Sequence, residues 1–378
     1  MKILDEKRIR DNIERRINED VASGRVGGAS VIVKQCGRIV YKGCLGKSND
    51  SRPLTDKALF RLASLTKPVT TAAILKQIDR GLVSIDDPLE KYIPEYAEME
   101  IGALNEHGEI TAVGKATEKV RILHLLNHTS GVGSLELGNK LFSELSPKEK
   151  TDLKSISEAY SKLPLAFNPG SAQAYSPLIA FDLVARVVEI TSGMTYDKFL
   201  KKEILDPLGM VNTAFVPTDE QWGNMVHFHD FREDKAIFLP LEKSHTMSDL
   251  PLTYFCGGAS LFSSVEDYSK FAEMLLSEGK TPSGEQLISR DMIKRMRTPT
   301  VSEQIMPGNQ RWGLGVRVIT DDSYRLLPKG AFGWSGAYGA HMWVDSENKI
   351  TAVYMKNSLY DGGSGALTAA HFEEDVYF

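Results

Sequence analysis

The chain has 378 residues, with 45 Lys and Arg against 50 Asp and Glu, for a formal net charge of −5. Mild acidity gives no electrostatic reason to bind a nucleic-acid backbone, and no run of about 18 apolar residues offers a membrane-spanning helix. Hydrophobic residues make up 42% and charged residues 25%, both spread along the whole chain, which argues against disorder.

From Asp5 to about Ala22, Ile9, Ile13 and Ile17 recur within a charged field, predicting a helix with one narrow buried stripe. The same opening lacks the apolar core of a secretory signal, which predicts a cytoplasmic location. Two β-branched runs, GGASVIVKQ and GRIVYKGCLG, flank Cys36-Gly37 and predict a hairpin. The cysteines, Cys36, Cys44 and Cys256, have no CxxC spacing and are expected to be reduced, although Cys36 and Cys44 could meet across that hairpin.

Helical patterns dominate from Lys67 to Pro299. KPVTTAAILKQIDRG predicts an amphipathic helix stopped by Gly81. VRILHLLNH, LIAFDLVARVVEITSG and SSVEDYSKFAEMLLSEG read alike, the last opened by Ser264, Glu266 and Asp267 as N-cap and first-turn acids. Strand patterns return in GLGVRVI, AHMWVDS and NKITAVYMKN, and an amphipathic stretch from Gly365 to Phe378 closes the chain. The expected fold is α/β (α+β): an antiparallel sheet built from both chain ends (1–66 and 300–378) and flanked by terminal helices, with a mainly helical domain (67–299) inserted. A site at the seam of the two units is expected.

Ser64-Leu65-Thr66-Lys67 is the first candidate for chemistry. A Ser and a Lys three apart share a helix face, so the amine can reach the hydroxyl and help to activate it. A helix start adds free backbone N–H groups for an oxyanion. Ser277…Lys280 and Ser346…Lys349 have the same spacing, but one lies at a helix end and the other across a strand turn. Alone, Ser64 could equally be a capping serine beside a solvated lysine.

The context decides. FRLASLTK (60–67) resembles the serine hydrolases of the class C β-lactamase fold, with penicillin-binding-protein-like enzymes and family VIII carboxylesterases among them. LLNHTSGV (125–132), FNPGSAQAYSP (167–177), PLGMVNTAF (207–215), GGASLFSSVEDYSKFAEMLL (257–276) and FGWSGAYGAHMWVD (332–345) fit the same pattern in order. The resemblance implies a β-lactamase/transpeptidase-like fold and an acyl-enzyme at Ser64, with Lys67 and Tyr175 as the base system. It implies backbone N–H groups of Ser64 and Ala337 as the oxyanion hole, and Trp334, Ser335 and Gly336 as substrate-binding.

Two departures refine this expectation. Pro177 stands where the family's Tyr-x-Asn motif has Asn, which removes an amide. Trp334 stands where the class C β-lactamases have the Lys of Lys-Thr-Gly, so the cation that binds a lactam carboxylate becomes an apolar wall. Trp-x-Gly resembles the family VIII esterases, so the expected substrate is a small-molecule ester of a short or medium acyl group, possible acyl transfer included. β-Lactams or D-amino-acid peptides, and a catalytically silent relative, are the alternatives. Trp334 could also be plain sheet packing.

Other chemistries find little support. Gly333-Trp334-Ser335-Gly336-Ala337 and Gly362-Gly363-Ser364-Gly365-Ala366 approach the Gly-x-Ser-x-Gly elbow but end in Ala and lack a βαβ setting. His124 and His128, four apart on a predicted helix, lack the Glu of a HExxH zinc motif. His227 and His229 could line a loop over the cleft or lie exposed. No metal, cofactor, nucleic-acid or membrane partner is expected.

Overall fold

Alternation along the chain-end strands sorts their side chains between two cores. Val31 and Val33 face one buried cluster while Ile32 faces another, and Ala352 and Tyr354 oppose Val353 and Met355 in the same way. The computed structural model describes residues 2–232, 235–240, 252–363 and 365–378. Its main sheet has seven strands: β1 (Gly28–Gln35), β2 (Arg38–Gly46), β3 (Gln310–Trp312), β4 (Arg317–Ile319), β5 (Phe332–Ser335), β6 (His341–Asp345) and β7 (Ile350–Met355). Their order is β2-β1-β7-β6-β5-β4-β3, and every pair is antiparallel. The sheet therefore comes from both chain ends, which meet where β1 pairs with β7.

One face carries the terminal helices, α1 (Glu6–Ala22) and, at the other end of the chain, Leu367–Tyr377. Asp5 caps α1 by accepting from the Arg8 N–H, and Ile9, Ile13 and Ile17 bury one stripe against Val31, Trp343, Phe372 and Val376. Each such isoleucine contributes about 1.5–3 kcal/mol by leaving water. The opposite face packs on Val265–Leu276 and on the helical region.

At the centre of the helical region runs α2 (Thr66–Asp79). It was expected to be amphipathic, but it is enclosed: every residue from Thr66 to Leu75 is buried. Ile179–Ser192, here α3, packs along it. Two later helices are α4 (Val265–Leu276) and α5 (Leu367–Tyr377). Two small hairpins, Glu100–Leu104 with Ile110–Lys115 and His229–Arg232 with Lys235–Phe238, interrupt a region expected to be helical. They are local pairings outside the main sheet, and short strands of this kind leave little periodicity to read.

Cys36 and Cys44 lie in the β1–β2 hairpin and, like Cys256, are unbridged. Among the described residues no helix is long and apolar enough to cross a membrane. Ser364, the centre of the second elbow-like run, lies outside the described residues.

Candidate active site

The nucleophile candidate sits on a strained turn. Ser64 lies in the 3₁₀ turn Ala63–Leu65 that leads into α2, and Ala63 before it has φ of +44°, a region unfavourable for any residue with a Cβ. An early position in such a turn leaves the Ser64 N–H without an intrahelical acceptor. Gly336 presses against this turn, and a Cβ there would collide with the Leu62 carbonyl. The close approach brings the end of β5 against the turn that carries the serine. Ala337 is exposed, and its N–H donates to no backbone carbonyl among the described residues.

Lys67 follows one turn later and is fully buried. Its Nζ donates to Ser64 Oγ at 3.2 Å, to the Pro177 carbonyl at 2.5 Å and to the Gly258 carbonyl at 2.9 Å. A lysine head has three donors, so all are used. The Pro177 carbonyl thus contacts the amine at the position where an asparagine amide was expected to be missed. The Tyr175 phenol donates to Ser64 Oγ at 2.7 Å, and Lys67 Nζ lies 4.9 Å from the centre of its ring. Ser64 and Lys67, three residues apart, and Tyr175, more than a hundred residues further along the chain, therefore form one hydrogen-bonded array.

Alternation along β5 divides the third segment. Trp334 turns toward the array, half-buried, its ring 5.5 Å from Tyr175 and 4.4 Å from Trp312. Ser335 turns to the opposite face, where its hydroxyl meets His341 Nδ1 at 2.8 Å. The structure thus brings Trp334 to the array and Gly336 against the turn that precedes Ser64, and leaves the Ser335 side chain behind the strand.

Several contributors were hard to see in the sequence. Asp182 on α3 accepts from the Gly257 N–H at 2.8 Å and from the Tyr254 phenol, fixing the loop that carries the Gly258 carbonyl to Lys67. Burial pushes its carboxyl up to about 6, although hydrogen bonds from Tyr254, Cys256 and Gly257 and the charge of Lys67 pull the other way. Its signal was a lone acid in the apolar run IAFDLVA. Trp312, on the edge strand β3, stacks on Tyr175 with ring centres 6.0 Å apart. His128 lies beyond the short helix Ile122–Leu126 with φ of +59°, so it does not share a helix face with His124 as expected. His229 is buried against Gly27 and Phe238 rather than poised over a cleft. Among the described residues no three His, Cys, Asp or Glu side chains group to hold a metal ion.

A serine hydroxyl held between a phenol and a buried amine at a helix start can support acyl transfer by a serine hydrolase. Residues 13–373 match the Beta-lactamase family, and the chain belongs to it; it is a serine hydrolase. It is 28% identical to esterase EstB of Burkholderia gladioli, over 97% of this chain and 95% of that one. It is 25% identical to acyltransferase calJ of Penicillium decumbens, over 80% and 76%. The structure of EstCE1, described as a hydrolase with promiscuous acyltransferase activity, superposes with a TM-score of 0.82 at 22% identity, covering 99% of both chains, and shares the fold.

Proposed function

We propose that the protein is a carboxylesterase acting on esters of short or medium acyl groups through an acyl-enzyme at Ser64. The observation that carries this reading is the Tyr175–Ser64–Lys67 array, with an indole at position 334 where the class C pattern has a cation. In its phenolate form, with the Lys67 ammonium beside it, Tyr175 takes the Ser64 proton as Oγ attacks the ester carbonyl carbon. The N–H groups of Ser64 and Ala337 hold the oxyanion. On collapse the carbon–alkoxide bond breaks, Tyr175 returns the proton to the departing alcohol, and the acyl group stays on Ser64. Water then attacks, Tyr175 takes its proton, and the acid leaves as Ser64 is reprotonated.

An alcohol in place of water would give acyl transfer. The relatives EstB and calJ, an esterase and an acyltransferase by name, fit a shared intermediate. Trp334 and Gly336 are proposed to line the substrate, the first as an apolar wall and the second through its backbone. The site is proposed to work at the seam of two units, 1–66 with 300–378 and 67–299. Ala337 comes from the first, and Tyr175 and the Gly258 carbonyl from the second.

The test compares p-nitrophenyl butyrate with a chromogenic cephalosporin. The ester should turn over faster, with kcat/KM falling about a thousandfold or more in Ser64→Ala. Faster cephalosporin turnover would assign the site to lactams instead, and a fully active Ser64→Ala would remove the serine from the reaction.

A further inference from the structure

Tyr175 lies in a segment, 172–176, without regular secondary structure, so its aim at Ser64 depends on anchors outside helix and sheet. One residue supplies two of them. The His128 carbonyl accepts from the Ala174 N–H at 3.1 Å, and His128 Nδ1 accepts from the Ser176 N–H, also at 3.1 Å. Tyr175 is thus held on both flanks by a single side chain and its own carbonyl. The imidazole also packs on the phenol, with ring centres 4.6 Å apart, and on Trp312 at 4.4 Å and Phe181 at 5.5 Å.

The arrangement requires a particular form of the residue. An Nδ1 that accepts from an amide leaves the ring proton on Nε2, so the imidazole is neutral. Burial and the nearby Lys67 charge hold it there by pushing its pKa well below the ordinary value. Two local costs come with it: a left-handed φ of +59° and a buried Nε2 without a hydrogen-bond partner among the described residues. A residue serving only to fill space would avoid the second cost with an apolar ring.

We infer that His128 is the positioning residue of Tyr175, fixing the phenol at hydrogen-bond distance from Ser64 by clamping the backbone on either side of it. The inference rests on the reading that Tyr175 moves the Ser64 proton. Misplacement of such a group by about 1 Å can cost a hundredfold in rate, so the clamp acts on kcat rather than on substrate affinity.

The test is a double-mutant cycle on p-nitrophenyl butyrate hydrolysis, with melting temperatures alongside. His128→Gly keeps the left-handed backbone and removes the ring, whereas His128→Asn tolerates that backbone and offers an amide oxygen near the place of Nδ1. His128→Gly should lower kcat about ten- to a hundredfold with little change in KM, and His128→Asn should recover most of it. In the Tyr175→Phe background both substitutions should cost less than about twofold, because there is no longer a phenol to aim. If His128→Gly does not fold, the residual loss in His128→Asn must disappear in the same background. Equal losses in both backgrounds, or an unchanged kcat in a folded His128→Gly, would overturn the clamp while leaving Tyr175 in its role. A fully active Tyr175→Phe would overturn that role and the clamp with it.

Discussion

Two serines of this chain lie in hydrogen-bonded clusters on opposite sides of β5. Behind β5, Ser335 meets His341 Nδ1 at 2.8 Å, His341 Nε2 meets Glu373 Oε1 at 3.0 Å, and Glu373 pairs with Arg317 at 2.6 Å and with the Tyr324 phenol at 2.6 Å. By composition this is a Ser-His-acid relay. On the cleft side, Ser64 has only a lysine and a tyrosine. Yet Ser335, His341 and Glu373 are 3%, 1% and 1% exposed, enclosed between the sheet and α5, whereas Ser64 is 9% exposed and the Ala337 N–H donates to no backbone carbonyl among the described residues. The relay ties α5 to the sheet, whereas the array around Ser64 is the one proposed to meet the reacting carbonyl. Residue types in sequence order do not separate the two; access and unused N–H groups do.

The contrast yields graded expectations. The largest is Tyr175→Phe, which should lower kcat/KM for p-nitrophenyl butyrate by about 10²–10⁴ while leaving the urea midpoint nearly unchanged. Glu373→Gln should do the reverse, because Arg317 would be left as a buried charge without its carboxylate. A loss of about 3–5 kcal/mol in urea unfolding is expected, with kcat changed far less in the fraction that remains folded. Comparable losses of rate in both variants would erase the distinction between the two faces.

Acidity should separate the regions next. The Arg317 guanidinium and the His341 ring outweigh burial and hold Glu373 at about 2, below its ordinary 4.5. Between these values the unfolded chain binds more protons, so stability on the order of 3 kcal/mol is lost as pH falls from 4.5 to 2. Asp182 runs the other way: raised from 3.8 to about 6, it contributes stability that declines as pH climbs through that interval. Asp182→Asn should flatten the decline, as read by unfolding free energy across pH 4 to 6. The smallest effect belongs to Ser335→Ala, which leaves His341 Nδ1 without its partner and should cost about 1–3 kcal/mol of stability. Its kcat should stay within about threefold of the parent.

Much of the fold was legible because the chain-end strands and long helices carry strong periodicity: Ile9, Ile13 and Ile17 predicted α1, and NKITAVYMKN predicted β7. The apolar spacing of α2 predicts an amphipathic helix, yet its polar residues Lys67, Thr70, Thr71 and Gln77 are all buried, with Thr70 donating to the Gly257 carbonyl at 2.6 Å. Polar atoms satisfied by distant backbone are invisible to a periodicity argument. The candidate array was legible as a series of motifs, but not how it is held together. The Pro177 and Gly258 carbonyls on Lys67, and the His128 clamp on Tyr175, depend on loop backbone whose position no side-chain pattern encodes. The two hairpins at 100–115 and 229–238 escaped for a related reason, since each is a pairing of a few residues.

The central claim, that Ser64 alone carries the acyl group, is tested most directly by labelling the native protein with a fluorophosphonate and mapping the modified peptide by mass spectrometry. A single adduct on Ser64, lost in Ser64→Ala and retained in Ser335→Ala, is the predicted result. An adduct on Ser335, or labelling that persists in Ser64→Ala, would contradict it.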